Sequence, residues 1–136
     1  MKKEINSQDV AEYFIALAND TGESLTNLKL QKLVYYAQAW YLANDMKPLF
    51  KGNFQAWVHG PVMVVLYHEY KFNGSGPITI EKSLEDCVSK FDIDTRVFLE
   101  EVARVYMPFG GFELEKMTHL EQPWIEARNG IPADEN

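Results

Sequence analysis

The stretch LTNLKLQKLVYYAQAWYLAND, residues 25–45, constrains the fold of this chain more than any other. At about 100° per residue, Leu30, Leu33, Val34, Ala37, Trp40 and Tyr41 fall on one face of a helix, while Leu28, Tyr35, Ala39 and Leu42 form a second apolar stripe on the opposite side. A helix that is apolar on both sides must be covered on both sides. The spacing therefore predicts a central helix over residues 27–44, opened by Thr26, around which other helices pack. Trp40, on the denser face, is expected in the core.

The flanking sequence supplies those other helices. Ser7 is a suitable N-cap for a helix near 8–19, in which Val10, Phe14 and Leu17 recur before Asn19-Asp20-Thr21-Gly22 stops the run. Phe54, Ala56 and Val58 alternate with polar and aromatic neighbours, which predicts a strand over 54–58. Gly60-Pro61 breaks it, and Pro61 is placed to begin a helix through Val62, Val65, Leu66 and Phe72 to about Asn73. After the turn cluster Asn73 to Pro77, the segment Ile78-Thr79-Ile80 is a candidate partner for 54–58 in a two-stranded β-ribbon. Ser83 caps a short helix to about Lys90, and Asp94 caps a longer one with Phe98, Val102 and Val105 on one face. Leu114, Met117 and Leu120 mark another helix, and Gln122-Pro123 starts a last short one to Arg128. The tail 129–136 reads as frayed. With no repeat, linker or low-complexity tract, the expectation is a mainly α fold, a single compact domain over 1–136 around helix 27–44, with a ribbon pairing 54–58 to 78–80.

Charge and cysteine content narrow the environment. Cys87 is the single cysteine, so there is no internal disulfide and the cytoplasm is the expected compartment. No apolar run approaches the roughly 18 residues of a spanning helix, so no membrane partner is expected. Residues 1–80 balance seven acids with seven bases, whereas residues 81–136 carry thirteen acids against six bases, and the whole net charge of −7 lies there. Such a field repels phosphate backbones and argues against direct nucleic-acid binding. It is either a solvated surface or a docking face for a basic partner.

Catalytic signatures are missing. There is no phosphate-binding loop, GxSxG or HExxH, and no pair among His59, His68 and His119 has the i, i+4 spacing that puts two ligands on one helix face. No metal or cofactor is expected. His68 and Glu69 are adjacent, so a helix would point them about 100° apart. Cys87 reads as a small buried hydrophobe. The three tryptophans, seven tyrosines and eight phenylalanines are expected mostly in the core, with a minority as anchors for a protein partner.

The segments LTNLKLQKLVYYAQAWYLA (25–43), PLF (48–50), FQAWVHGPV (54–62), LYHEYKFNGSGPI (66–78) and MTHLEQPWIEAR (117–128) together resemble the Panacea antitoxin domain family, with its phage-associated GepA-like and SocA-type branches. The resemblance runs from about Val10 to Arg128. It implies a mainly helical, non-enzymatic antitoxin, encoded beside a toxin gene in bacteria, prophages or phages, that neutralises a cognate protein toxin by direct contact. One branch of the family resembles an adaptor that delivers its toxin to a AAA+ protease, and the alternative reading is a phage- or prophage-encoded regulator of another host protein, or a proteolytic adaptor delivering a bound protein to such a protease. Leu30, Leu33, Tyr36, Ala37 and Trp40 match the family's second-helix signature, and their periodicity assigns them to the fold. Trp57, His59, Gly60 and Pro61 match its strand-to-helix corner, with Tyr67 in the following helix. Thr118, His119, Glu121, Pro123 and Trp124 match its late signature. Pro123 accounts only for a helix start, which leaves His119 and Glu121 as functional candidates, or as a cap and a buried hydrogen bond. A hydrolase using His119 and Glu121 is a third reading. The acidic C-terminal segment suggests that the toxin lands there, with Trp124 as apolar anchor and Glu113, Glu115, Glu121 and Glu126 around it, or else near Trp57, His59 and Tyr67.

Overall fold

The computed structural model describes residues 4–58, 60–74 and 76–119, without the side chains of Phe112 and His119. Among these residues the chain is mainly α, with six α-helices and one two-stranded antiparallel ribbon. Helix α1, Ser7–Thr21, is capped one residue earlier than the sequence suggests. Asn6 accepts from the Asp9 amide at 2.8 Å while Asp9 accepts from the Asn6 amide at 3.3 Å, a reciprocal capping box. Gly22 closes the helix in the left-handed conformation.

Helix α2, Asn27–Asp45, is central: it packs against α1 and, as described below, against β2, α3, α5 and α6. Thr26 caps it by accepting from the Lys29 amide. Leu30, Leu33, Val34 and Ala37 are fully buried, together with Val10, Phe14 and Ile15 of α1. Towards the end of the helix burial is uneven, and Tyr41 is buried while its neighbours are not. Trp40, expected in the core, is 49% exposed, and Leu42 of the second stripe is 48% exposed.

Strand β1, Gln55–Trp57, pairs with β2, Gly60–Val62, and not with 78–80. Ala56 stands opposite Pro61 and Trp57 opposite Gly60, so Pro61 belongs to the ribbon and does not begin a helix. Both strands of a two-stranded ribbon are edges, where proline is tolerated. Segment 78–80 is held elsewhere. The Ile78 amide donates to the Leu25 carbonyl at 2.8 Å, and the Asn19 side chain donates to the Ile78 carbonyl and accepts from the Ile80 amide, which straps the α1–α2 junction.

Helix α3, Val64–Tyr70, follows Met63 and runs into a 3-10 turn, Lys71–Asn73. Ser83 caps α4, Leu84–Val88, which lies on α1 with Lys90 at 3.1 Å from Asp9 and Lys82 paired to Glu12. Cys87 in α4 is buried, and burial raises its thiol above the ordinary range. Helix α5, Ile93–Tyr106, is capped by Asp92, which accepts from the Thr95 amide at 2.8 Å; Asp94 lies in the first turn instead. Its buried face is Thr95, Leu99, Val102, Ala103 and Tyr106, while Val105 is 39% exposed. Helix α6, Gly111–His119, contributes the fully buried Leu114. The helix expected from Pro123 to Arg128 and the tail 129–136 lie outside the described residues. No described helix is long and apolar enough to cross a membrane.

Candidate functional site

The first two turns of α2 carry Asn27, Lys29, Gln31 and Lys32, and all four are buried. Unpaired, such groups would be costly, so their partners define what the helix holds in place. Asn27 donates to the Tyr67 carbonyl at 3.1 Å and accepts from Gln31 Nε2 at 3.0 Å, and Gln31 Oε1 accepts from the Met63 amide at 3.0 Å. Met63 precedes α3 without a side-chain cap of its own, so this relay supplies the missing acceptor and clamps α3 to α2. Lys29 Nζ donates to the Met107 carbonyl at 2.6 Å, a cation at the C-terminal end of α5 where the helix dipole favours it. Burial lowers its pKa, with Glu23 and Glu113 opposing the shift.

Lys32 differs. Its Nζ is sealed from solvent and has no hydrogen-bond partner among the described residues. Burial pushes the ammonium down to about 8, with Glu115 of α6 acting in the opposite sense. Gly60 of β2 lies directly over it: a Cβ at this glycine would stand 2.8 Å from both Lys32 Cε and Thr118 Oγ1, and the backbone here has φ +108°. Glycine is required on both counts. Thr118 is itself fully buried and donates its hydroxyl to the Glu115 carbonyl at 2.8 Å. Residues from segments 25–43, 54–62 and 117–128, far apart in sequence, thus meet at one point where α2, β2 and α6 pack. Gly60 and Thr118 close over Lys32, so the close approach of these three residues fixes how α2, β2 and α6 pack.

The structure brings together only some of the residues named from sequence. Trp57 and Tyr67 pack edge to face with centroids 4.9 Å apart, both half-buried, and Trp57 Nε1 donates to Gln55 Oε1 at 2.8 Å. Glu113 accepts from the Gly110 amide at 3.1 Å and so caps α6, while Glu115 faces toward Lys32 electrostatically. His59, Glu121, Pro123, Trp124, Glu126 and the side chain of His119 lie outside the described residues. Leu30, Leu33 and Tyr36 are buried as the periodicity requires. Among the described residues no group of three or more His, Cys, Asp or Glu is arranged to hold a metal ion.

Sequence reasoning missed Lys29, Gln31 and Lys32, although the signal was present. A helix with apolar stripes on both sides has no wide solvated face left, so polar residues in its first turns must be buried and paired with neighbouring elements.

A second feature lies at the other end of α2. Trp40, Asn44, Phe98, Glu101, Val102, Val105 and Tyr106 line a groove of about 230 Å³ between α2 and α5. Trp40 Nε1 donates to the Tyr106 hydroxyl at 2.6 Å, and Tyr106 stacks on Tyr36 with centroids 4.1 Å apart and planes inclined by 6°. The exposed indole is held by a buried aromatic stack.

Comparison with known families and proteins bears on both features. The family described as "Antitoxin SocA-like, Panacea domain" matches residues 30–125, which includes Lys32, Gly60, Thr118 and the whole of the groove. The chain belongs to that family. It is also 28% identical to Antitoxin SocA of Caulobacter vibrioides (strain NA1000 / CB15N), over 93% of this chain and 72% of that protein. No solved structure matches. The segment resemblance read from the sequence is thus borne out, and the Panacea domain here is a mainly helical fold built on α2.

Proposed function

We propose that this protein is an antitoxin that neutralises a cognate protein toxin by non-covalent binding. The observation that carries this reading is membership of an antitoxin family across residues 30–125. The chemistry of the described residues fits binding better than catalysis. The buried amine of Lys32 is closed over by Gly60 and Thr118, and that of Lys29 is bonded to the Met107 carbonyl, whereas the aromatic surface at Trp40 is half-exposed and held by Tyr106. The excess of acidic residues after residue 80 suits a toxin with a basic surface, which long-range attraction would steer toward the complex. The cytoplasm, where such a toxin would act, is the compartment this reading requires.

Co-expression with the gene next to this one tests the proposal by growth and pull-down. Rescue of growth together with a stable complex is expected. Rescue without a detectable complex, in cells lacking housekeeping proteases, would overturn direct neutralisation, and rescue that vanishes in those cells while the complex persists would identify delivery to a AAA+ protease as the mode of action.

A further inference from the structure

Lys32 sets two requirements against each other. Its Nζ is fully buried and makes no hydrogen bond among the described residues, and an ammonium in that position costs far more than a neutral amine. Charge on Lys32 and the close packing of Gly60 and Thr118 around it therefore oppose one another. The conflict is relieved when one wall of the junction moves away and water reaches the amine.

The three walls are not equally free to move. α2 is gripped by α1, α3 and α5 as well as by β2 and α6. β2 is paired with β1, and the Met63 amide that follows it is held by Gln31. α6 has nine residues, too few for a helix to persist without packing. Two of its polar side chains are used locally, since Thr118 donates to the Glu115 carbonyl and Glu113 accepts from the Gly110 amide. Leu114, fully buried, anchors it.

We propose that α6 is a proton-controlled latch: while Lys32 carries its charge, the helix lifts from α2 and β2 far more often than when the amine is neutral, because lifting hydrates Nζ. The groups around Lys32 leave this role to the amine. β2 has no titratable side chain. On α6, Glu115 attracts the ammonium and partly offsets its burial, Glu113 acts on Lys29, and Lys116 is exposed. On α2, Lys29 is bonded to the Met107 carbonyl, and Tyr35 and Tyr36 stand one turn on. Histidines such as His119 and His59 ordinarily titrate near about 6.5 and tyrosines near about 10, outside the range of pH 7.5–9.5 used below.

The sign follows from linkage. Closed, burial holds Lys32 at about 8; lifted and hydrated, it regains its ordinary 10.5. The lifted state binds more protons between those values, so lifting becomes rarer as pH rises, by about twentyfold from pH 7.5 to pH 9.5.

The test is amide hydrogen exchange of the full chain at those two pH values, read by mass spectrometry after millisecond pulses and divided by the intrinsic rate at each pH. In the unmodified protein, amides 114–118 are expected to be less protected than those of α1, to respond little to low denaturant, and to gain about twentyfold in protection at the higher pH. In Lys32→Met that gain should fall below about twofold. Glu115→Gln keeps the amine but removes the attraction, so it should lower α6 protection more at pH 7.5 than at pH 9.5; it decides the matter if Lys32→Met does not fold. The latch is overturned if α6 protection is flat with pH in the unmodified chain, if the gain survives in Lys32→Met, or if Glu115→Gln acts equally at both pH values. It is also overturned if α6 exchanges at the same rate and with the same denaturant slope as α1, since the helix then opens only when the whole fold does.

Discussion

The two halves of α2 invert the usual amphipathic rule in opposite ways. From Asn27 to Lys32 the helix hides polar groups in the interior, and towards its end Trp40, Leu42 and the capping Met46 display apolar groups to solvent. In the first half, polarity is converted into position: each amide or ammonium other than Lys32 finds a backbone or side-chain partner, and those partners belong to α3 and the end of α5. In the second half Trp40 and Leu42 stay about half-exposed, while Tyr41 between them is buried. One helix thus buries its polar groups at its beginning and leaves part of its apolar surface open at its end.

This contrast can be broken or sharpened by mutation. The largest effect is expected inside the scaffold half, where Leu33→Ala removes a fully buried side chain and should cost about 2–5 kcal/mol in denaturant unfolding. A loss below about 1 kcal/mol would mean that the first half is not the rigid part.

Next comes Lys32, through pH. With a folded pKa of about 8 against an ordinary 10.5, the unfolded chain binds more protons between those values, so stability rises with pH across that window. The expected gain from this residue is about 2 kcal/mol between about pH 8 and pH 10. It is read as the difference between the unmodified protein and Lys32→Met, because the buried Cys87 thiol, raised by burial, acts in the opposite direction over the same range. Above about pH 10 the Tyr13 and Tyr70 hydroxyls, both held up to about 12 mainly by burial, make stability fall again in either protein. Identical pH profiles for the two would show that Lys32 is not an uncompensated cation.

Smaller effects are expected at the open half. Trp40→Ala should cost about 1–2 kcal/mol, from a lost hydrogen bond and part of a ring's burial, and not the 3–5 kcal/mol of a core aromatic. Leu42→Ser, at a half-exposed position, should stay within about 0.5 kcal/mol in thermal unfolding. If Trp40→Ala matched Leu33→Ala, the two halves would be equivalent and the division of labour along α2 would fall.

Trp40 also shows where the sequence stops being legible. Helical periodicity gives the direction in which a side chain points, and that direction is right for Leu30, Leu33, Val34 and Ala37. It does not say how wide the cover from a neighbouring helix is near the end of the axis, where Tyr41 is still packed on Phe98 of α5 but Trp40 beside it is half-exposed. Caps were readable to within a residue or two: Thr26 and Ser83 were correctly placed, while Asn6 and Asp92 prevailed over Ser7 and Asp94. In each of the last two pairs both side chains can accept from a backbone amide, so composition does not choose between them. The ribbon was misread for a different reason. Proline after glycine usually opens a helix, but Gly60 at positive φ lets the chain turn back within two residues, so Pro61 pairs beside β1 and leaves Ile78 free to bond Leu25. Of the candidate site, the Trp57–Tyr67 contact joined residues already singled out, whereas Lys32 and the groove depend on long-range packing that no local pattern encodes.

The burial of Cys87 has a practical consequence. A chain with a single thiol, carried on the buried side of α4 and kept protonated by its surroundings, has an internal clock for the separation of α4 from α1. Alkylating reagents act on exposed thiolate, so the folded protein is nearly silent toward them and every modified molecule records one opening event. Mass spectrometry of such labelling reads the lifetime of the α1–α4 contact with no engineered probe.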